Sequence, residues 1–327
     1  MIVGAVAASS GATEVGHVTI RLATYNLLHG MTVLGGMTQP VRDADGRVVG
    51  PPLVADDLPL RAAVASLDAD VIGLQEVDVA QPRSGMAHQV RAVAEALDAP
   101  HWHFAASVVG TPGEADWTAG HDAHDQSTHP HLRRSPSRGA VAHPAPSAED
   151  GDDRPPTSGP LYGVGLVSRL PVLEWRATRF DPAPWTLPLM IPAEPRPQFI
   201  RVPDEPRAAI AAVVEGPHGP FTVVTVHLSF VPGYNVRQLR DLRRWLGGLP
   251  RPLVLLGDFN LPGRVPALVT GWTPLVAQKT YPVMRPRVQL DHVLADGLSP
   301  QQVAGAVPQV HLLPVSDHAA VTVDLDL

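Results

Sequence analysis

The chain has 327 residues, 44% of them hydrophobic and 17% charged, with a formal net charge of −7 and no cysteine. That length holds one large domain or two ordinary ones. The missing cysteines exclude disulfide staples, zinc–thiolate sites and cysteine nucleophiles, and the mildly acidic balance argues against non-specific coating of nucleic acid.

Residues 1–17 begin mildly apolar but lack the basic region and the longer apolar stretch of an export signal, so they read as a flexible tail. The expected compartment is cytoplasmic, with export as the alternative. No apolar run approaches the ~20 residues that cross a bilayer, so no stable membrane insertion is expected. Val18 to Leu28 predicts a first strand, passing the amide of Asn26. Leu60, Val64 and Leu67 then recur at helical spacing after Asp56-Asp57. Val71 to Val77 is a second strand, with Glu76 near its end, and Val90, Val93, Ala94 and Leu97 form a second helical stripe. His101 and His103 have the spacing of two ligands on one strand face, but without partners nearby they read as ordinary surface or loop histidines.

From about Thr111 to Pro160 the composition shifts to Pro, His, Ser, Asp and Gly. Such a segment buries too little apolar surface to offset its ordering entropy, so a disordered insertion within one domain is expected. Its histidines, His121, His124, His129, His131 and His143, are too irregularly spaced to favour a metal site over solvated side chains. Leu161 to Val167 is another strand. The Pro-rich stretch Asp181 to Pro206 reads as a second surface excursion; Trp185, Leu187, Leu189 and Met190 within it are assigned to core or loop packing in preference to an apolar lip.

Further strands are expected at Ile210 to Val214, Phe221 to Leu228, Leu253 to Leu256, His292 to Leu294 and Ala319 to Leu325. Between them Val236, Leu239, Leu242 and Leu246 line one helix face, with Asn235 as its expected N-cap and Gln238 completing a capping box. Arg237, Arg240, Arg243 and Arg244 lie mostly off that stripe, on a solvated face.

Polar residues collect at the strand ends. Asn26, Glu76 and His227 close three strands; Asp258 and Asn260 follow a fourth, two residues apart and so on one side of an extended chain. Asp291 opens a strand, and Asp317-His318 precedes the last one. The blocks Thr24-Tyr-Asn26, Leu74-Gln-Glu76, Gly163-Val-Gly165-Leu-Val-Ser-Arg169, Val226-His227-Leu228, Gly257-Asp-Phe-Asn260, Leu290-Asp291-His292 and Ser316-Asp317-His318 resemble, in content and order, those of the endonuclease/exonuclease/phosphatase superfamily, with its deoxyribonuclease I-like fold. The resemblance runs from about residue 18 to residue 327 and leaves the insertion without a counterpart.

The resemblance implies one α+β catalytic domain over 18–327: a four-layer αββα sandwich, two mixed β-sheets face to face with outer helices. It also implies divalent-metal-dependent phosphoester hydrolysis. Glu76 corresponds to the main ligand of Mg²⁺, with Mn²⁺ an alternative, and Asn26 and Asp317 stand as further metal residues. His318 corresponds to a general base, or to a stabiliser of the pentacoordinate phosphorus, held by Asp291. Asp258 would orient the attacking water or take a second metal, and Asn260 and His227 would donate to phosphate oxygens. His292 reads as a strand residue supporting the site. Arg83, Arg169 and Arg287 are the candidate substrate-phosphate cations, with Arg285 beside them.

The metallo-β-lactamase and calcineurin signatures are absent. The expected substrate is a small or lipid-like phosphomono- or diester, because the chain is Lys-poor and lacks a basic loop for several backbone phosphates. Nuclease action on DNA or RNA is the alternative, and a non-catalytic interaction module on the same fold ranks below it. A monomer is expected.

Overall fold

Many strands in this chain are apolar on both faces, which demands cover on both sides. The computed structural model, which describes residues 19–33, 41–42, 48–50, 57–113, 117–127, 159–191 and 198–327, supplies it with two stacked sheets and outer helices. The expected tail over 1–17 lies outside the described residues. In chain order the main strands are β1 (Thr19–Asn26), β2 (Val71–Val79), β3 (His101–Val109), β4 (Leu161–Ser168), β5 (Val172–Phe180), β6 (Arg207–Gly216), β7 (Gly219–His227), β8 (Leu253–Asp258), β9 (Asp291–Asp296), β10 (Val307–His311) and β11 (Ala320–Asp326). One sheet runs β10-β11-β1-β2-β4-β3, extended by Thr118–Ala119 and Gln126–Ser127 against β3; the other runs β9-β8-β7-β6-β5, with Thr273–Pro274 beside β9.

Each sheet contains a parallel pair, β1 with β2 and β7 with β8. Their flanking partners, β11, β4, β6 and β9, run antiparallel. The carboxyl ends of the two parallel pairs meet at one edge of the sandwich, so the polar residues that end β1, β7 and β8 converge there with Glu76, which lies within β2 three residues before its end.

Three apolar layers hold the sheets. Leu22, Leu166, Ile210, Phe221, Val254 and Leu256 pack between them. Leu60, Val64, Leu74, Val90 and Phe104 bury the outer face of the first sheet under helices α1 (Leu58–Ala65) and α2 (Gln89–Ala96). Leu239, Leu242, Leu255 and Phe259 do the same for the second under α3 (Tyr234–Trp245) and α4 (Val265–Thr270). This is the expected four-layer sandwich. The sheets approach most tightly at Gly73, where a Cβ would lie 2.3 Å from Leu256 Cδ1 and 2.6 Å from Thr225 Oγ1. Next to it, Gln75 Nε2 donates across the sandwich to Thr225 Oγ1 at 2.8 Å. Gly165 is a tight position of the same kind, with Val90 Cγ2 of α2 2.5 Å from where its Cβ would be.

Three expectations need correction. Residues 117–127 of the proposed insertion are ordered: two short strands pair with β3, and Arg179 on β5 bonds Ala106 O, Asp122 and Asp125. Residues 128–158, with His129, His131 and His143, lie outside the described residues. The Pro-rich excursion contains a two-stranded ribbon, Thr186–Ile191 with Gln198–Pro203, and its Trp185 is 52% exposed and packs edge-on against Tyr234, so of the two expected roles it has loop packing and not core. Asn235 does not cap α3, which follows Gly233. Its side chain accepts from Gly233 N and Val236 N and donates to Asn260 O at 2.8 Å. Gln238 accepts from Ser229 N and donates to Asp181 O. Both thus tie the helix to the loops beside the strand ends. Among the described residues no helix is long and apolar enough to cross a membrane.

Candidate active site

At the shared strand edge the backbone bends to aim side chains. A bulge in β2 sets Gln75 and Glu76 against β4 between the pairs Leu74–Gly165 and Val77–Gly163, and Glu76 adopts a left-handed φ of 54°. The bulge sends Gln75 into the sandwich and leaves Glu76 at the edge. Asn260 is also left-handed, with φ 48°; its N–H donates to Asp258 Oδ1 at 2.9 Å, closing a turn that brings both side chains back to the same place.

Asn26 is the hub. Its Nδ2 donates to Glu76 Oε1 and to Asp258 Oδ2, both at 3.0 Å, while its Oδ1 accepts from Leu28 N at 3.1 Å. Asp258 Oδ2 lies 3.6 Å from His227 Nε2 and 3.7 Å from His318 Nε2. The register explains this row: His227 of β7 pairs with Asp258 of β8, which pairs in turn with Asp291 of β9. Asp291 Oδ2 meets His318 Nδ1 at 2.9 Å. Thr280 Oγ1 accepts from Asp291 N at 3.2 Å, Ser316 Oγ accepts from His318 N at 3.1 Å, and the Tyr281 ring leans on the imidazole at 4.8 Å.

The electrostatics are those of crowded, dry acids. Burial, and then the charge of Asp317, pushes the Glu76 carboxyl up to about 7. Burial pushes Asp258 up to about 6, against the pull of His318. Burial likewise raises Asp317. For His318 burial opposes the charge, but Asp291 and Asp258 outweigh it and hold the imidazole well above its ordinary value. His227 moves the other way: burial, reinforced by Arg207, keeps it neutral.

Asn26, Glu76, His227, Asp258, Asn260, Asp291 and His318 are therefore one constellation, with Asp317 adjacent. Glu76, His227 and Asp258, and also Asp258, Asp291 and His318, each place one ligand atom per residue within 4.8 Å of the others. The arginines divide. Arg83 is near the site but forks onto buried Asp78 at 2.8 and 2.9 Å. Arg169 is at the opposite end of the sheet, beside the start of β2, where it bonds Leu97 O and Asp68; a phosphate role for it is corrected. Arg285 and Arg287 are exposed on the turn that carries Tyr281. His292 bonds Leu261 O at 2.8 Å and supports the loop after Asn260.

Sequence reasoning missed Arg207. It is the first residue of β6, only 5% exposed, with Nη1 3.2 and 3.3 Å from the two ring nitrogens of His227. The signal was present, since Arg207 is itself a polar strand end. Ala208 and Ala209 hid it, because their weak strand preference made the strand seem to begin at Ile210.

Comparison with known proteins agrees with this geometry. The family model described as "Endonuclease/Exonuclease/phosphatase family" matches residues 23–318. The chain is similar in structure to an endonuclease/exonuclease/phosphatase from Beutenbergia cavernae, with 19% identity, a TM-score of 0.51, and coverage of 94% of this chain and 71% of that one. It is also similar to sphingomyelinase C from Streptomyces griseocarneus, with 13% identity, a TM-score of 0.49, and coverage of 94% and 99%. A mannosyl-6-phosphatase from Bacteroides thetaiotaomicron matches with 15% identity, a TM-score of 0.44, and coverage of 94% and 99%. No curated protein matches the sequence. With the family's ordered blocks at one strand edge and its model spanning most of the sequence, the chain belongs to the endonuclease/exonuclease/phosphatase family, whose members are phosphoesterases and nucleases.

Proposed function

We propose that this protein is a divalent-metal-dependent phosphoester hydrolase in which water attacks phosphorus in line, acting on a small or lipid-like phosphomono- or diester. The observation that carries the reading is the Glu76–Asn26–Asp258 bridge beside the His318–Asp291 pair. The residues fit a hard cation. Most of their donors are carboxylate oxygens, with one imidazole in each candidate set, and Glu76 and Asp258, raised to about 7 and about 6, form an acid cluster whose charge the protein alone leaves poorly offset. Glu76 would hold Mg²⁺ or Mn²⁺, with Asp317 beside it. Asn26, already bonded to both carboxylates, orients them. The ion, when bound, supplies stabilisation of the negative charge developing on the phosphoryl oxygens.

The chain's own residues supply the rest. Asp258 accepts the proton of the attacking water. His318, kept cationic by Asp291, presents Nε2–H to the pentacoordinate phosphorus, so of its two family roles the stabilising one suits its environment better. Neutral His227 and Asn260 serve the non-bridging oxygens. Hydrolysis in ¹⁸O-labelled water tests this. One label per turnover should enter the phosphoryl product; label in the alcohol product instead would contradict attack at phosphorus.

The substrate preference rests on charge and on an aromatic wall. Trp185 stands edge-on to Tyr234 at 6.0 Å, and Tyr234 precedes the Asn235 that holds Asn260. An apolar group on the substrate would find cover there. Efficient nicking of plasmid DNA with Mg²⁺ at physiological salt, without turnover of small esters, would favour the nuclease reading instead.

A further inference from the structure

The guanidinium of Arg207 is incompletely bonded. The guanidinium is 5% exposed, and its Nε meets no hydrogen-bond partner. Two acids flank it: Asp204 Oδ1 lies 3.5 Å from Nη2, and the charge of Glu205 also supports the guanidinium. Asp204 is shared: its Oδ2 accepts from Ala183 N and from Ser229 Oγ, both at 2.7 Å, and only its Oδ1 meets Arg207, at a long 3.5 Å. The Phe230 ring lies 5.9 Å from the guanidinium carbon and supplies no strong acceptor. Nη1 instead faces His227, an imidazole with one lone pair at most when neutral. Asn260 Nδ2 approaches the same ring, 3.3 Å from Nε2, while also donating to Leu228 O at 3.0 Å. Donors from three residues thus crowd one small volume. Buried donors left without acceptors are costly, and a guanidinium more so than an amide.

We propose that Arg207 is a catalytic residue that binds the substrate phosphate, sharing a non-bridging oxygen with His227 and Asn260. The inference rests on the phosphoesterase reading and extends it to a residue at the start of β6. A tetrahedral oxyanion in this place gives the unpaired Nε of Arg207 an acceptor. It also gives His227 and Asn260 a common partner in place of each other. Charge-assisted bonds from guanidinium to phosphate are among the stronger polar contacts, so their loss is expected to reduce affinity about tenfold or more.

Calorimetric binding of inorganic phosphate to the Mg²⁺-saturated protein tests it, with thermal unfolding measured alongside. Phosphate should bind the wild type. Arg207→Gln should weaken it at least about tenfold, and Arg207→Lys, which keeps the charge but loses the planar fork, by less. If Arg207→Gln does not fold, Arg207→Lys decides. A purely structural arginine would lower the unfolding temperature and leave the phosphate affinity of a folded variant unchanged; that result, or a wild type that binds no phosphate, would overturn the proposal. Phosphate binding that depends on Arg207 in a protein that hydrolyses no phosphoester would sink the hydrolase reading and keep the site. Turnover with phosphate affinity unchanged in the folded Arg207 variants would do the reverse.

Discussion

His318 Nδ1 lies 2.9 Å from Asp291 Oδ2, and both residues are buried. The bond joins the start of β9 to the turn before β11, so it links the two sheets as well as fixing an imidazole. Asp291 selects the Nδ1–H form and leaves Nε2 directed toward the Asp258 side of the cluster. Replacing His318 with Ala should lower turnover by about 10²–10⁴-fold. Asp291→Asn should lower it as well and shift the pH–rate profile, since the amide no longer supports the cation. Steady-state kinetics across pH, with circular dichroism to confirm folding, checks both.

Glu76 gives a pH-dependent stability with a definite sign. Its folded value of about 7 lies above the ordinary 4.5, so the folded chain prefers the protonated acid. The penalty for ionising it is absent below pH 4.5 and grows as pH rises through about 7. Glu76→Gln should therefore stabilise the metal-free protein at pH 8 by up to about 3 kcal/mol, and by less at pH 5. Urea denaturation in EDTA at the two pH values measures this. Adding Mg²⁺ at pH 8 should reverse the order, because only the wild type keeps the ligand.

Arg83 and Arg169 should separate cleanly. Asp78 is fully buried and its charge is offset by the Arg83 fork. Arg83→Ala strands that carboxylate and should cost about 3–5 kcal/mol of stability. Arg169 pairs with Asp68 on the surface, at the end of the sandwich away from the site. Arg169→Gln should leave kcat/KM unchanged and stability within about 1 kcal/mol. Denaturant midpoints and kinetics on both variants decide the comparison.

Gly73 sets the distance between the sheets. A methyl group there would overlap Leu256 Cδ1 and Thr225 Oγ1. Gly73→Ala should destabilise by about 1–3 kcal/mol through overpacking. Because Glu76 follows on the same strand, activity should fall as well. Unchanged stability would mean the sheets can part there without cost.

Much of the sandwich was legible because its central strands are continuous apolar runs ending on polar residues, as at Leu253–Asn260 and Val71–Glu76. The edge strands were not. On β5 exposed or half-buried side chains alternate poorly, and Trp175 is the main anchor into the inter-sheet core. On β3 the polar start His101-Trp-His103 masks the buried run that follows. Order in residues 117–127 depends on Arg179, more than fifty residues later, so no local window could reveal it. The constellation could be read as strand ends, but the convergence of two parallel pairs could not. Nor could the role of Asn235, whose side chain prefers the carbonyl of Asn260 to the helix start.

The central claim is that this cluster hydrolyses phosphoesters with the help of a divalent cation, and turnover of a phosphomonoester and phosphodiester panel by wild type and Asp258→Asn tests it most directly. With Mg²⁺ the wild type should turn over at least one ester, EDTA should abolish that activity, and folded Asp258→Asn should be slower by about 10² or more. Turnover that survives EDTA, or full activity in Asp258→Asn, would contradict the account.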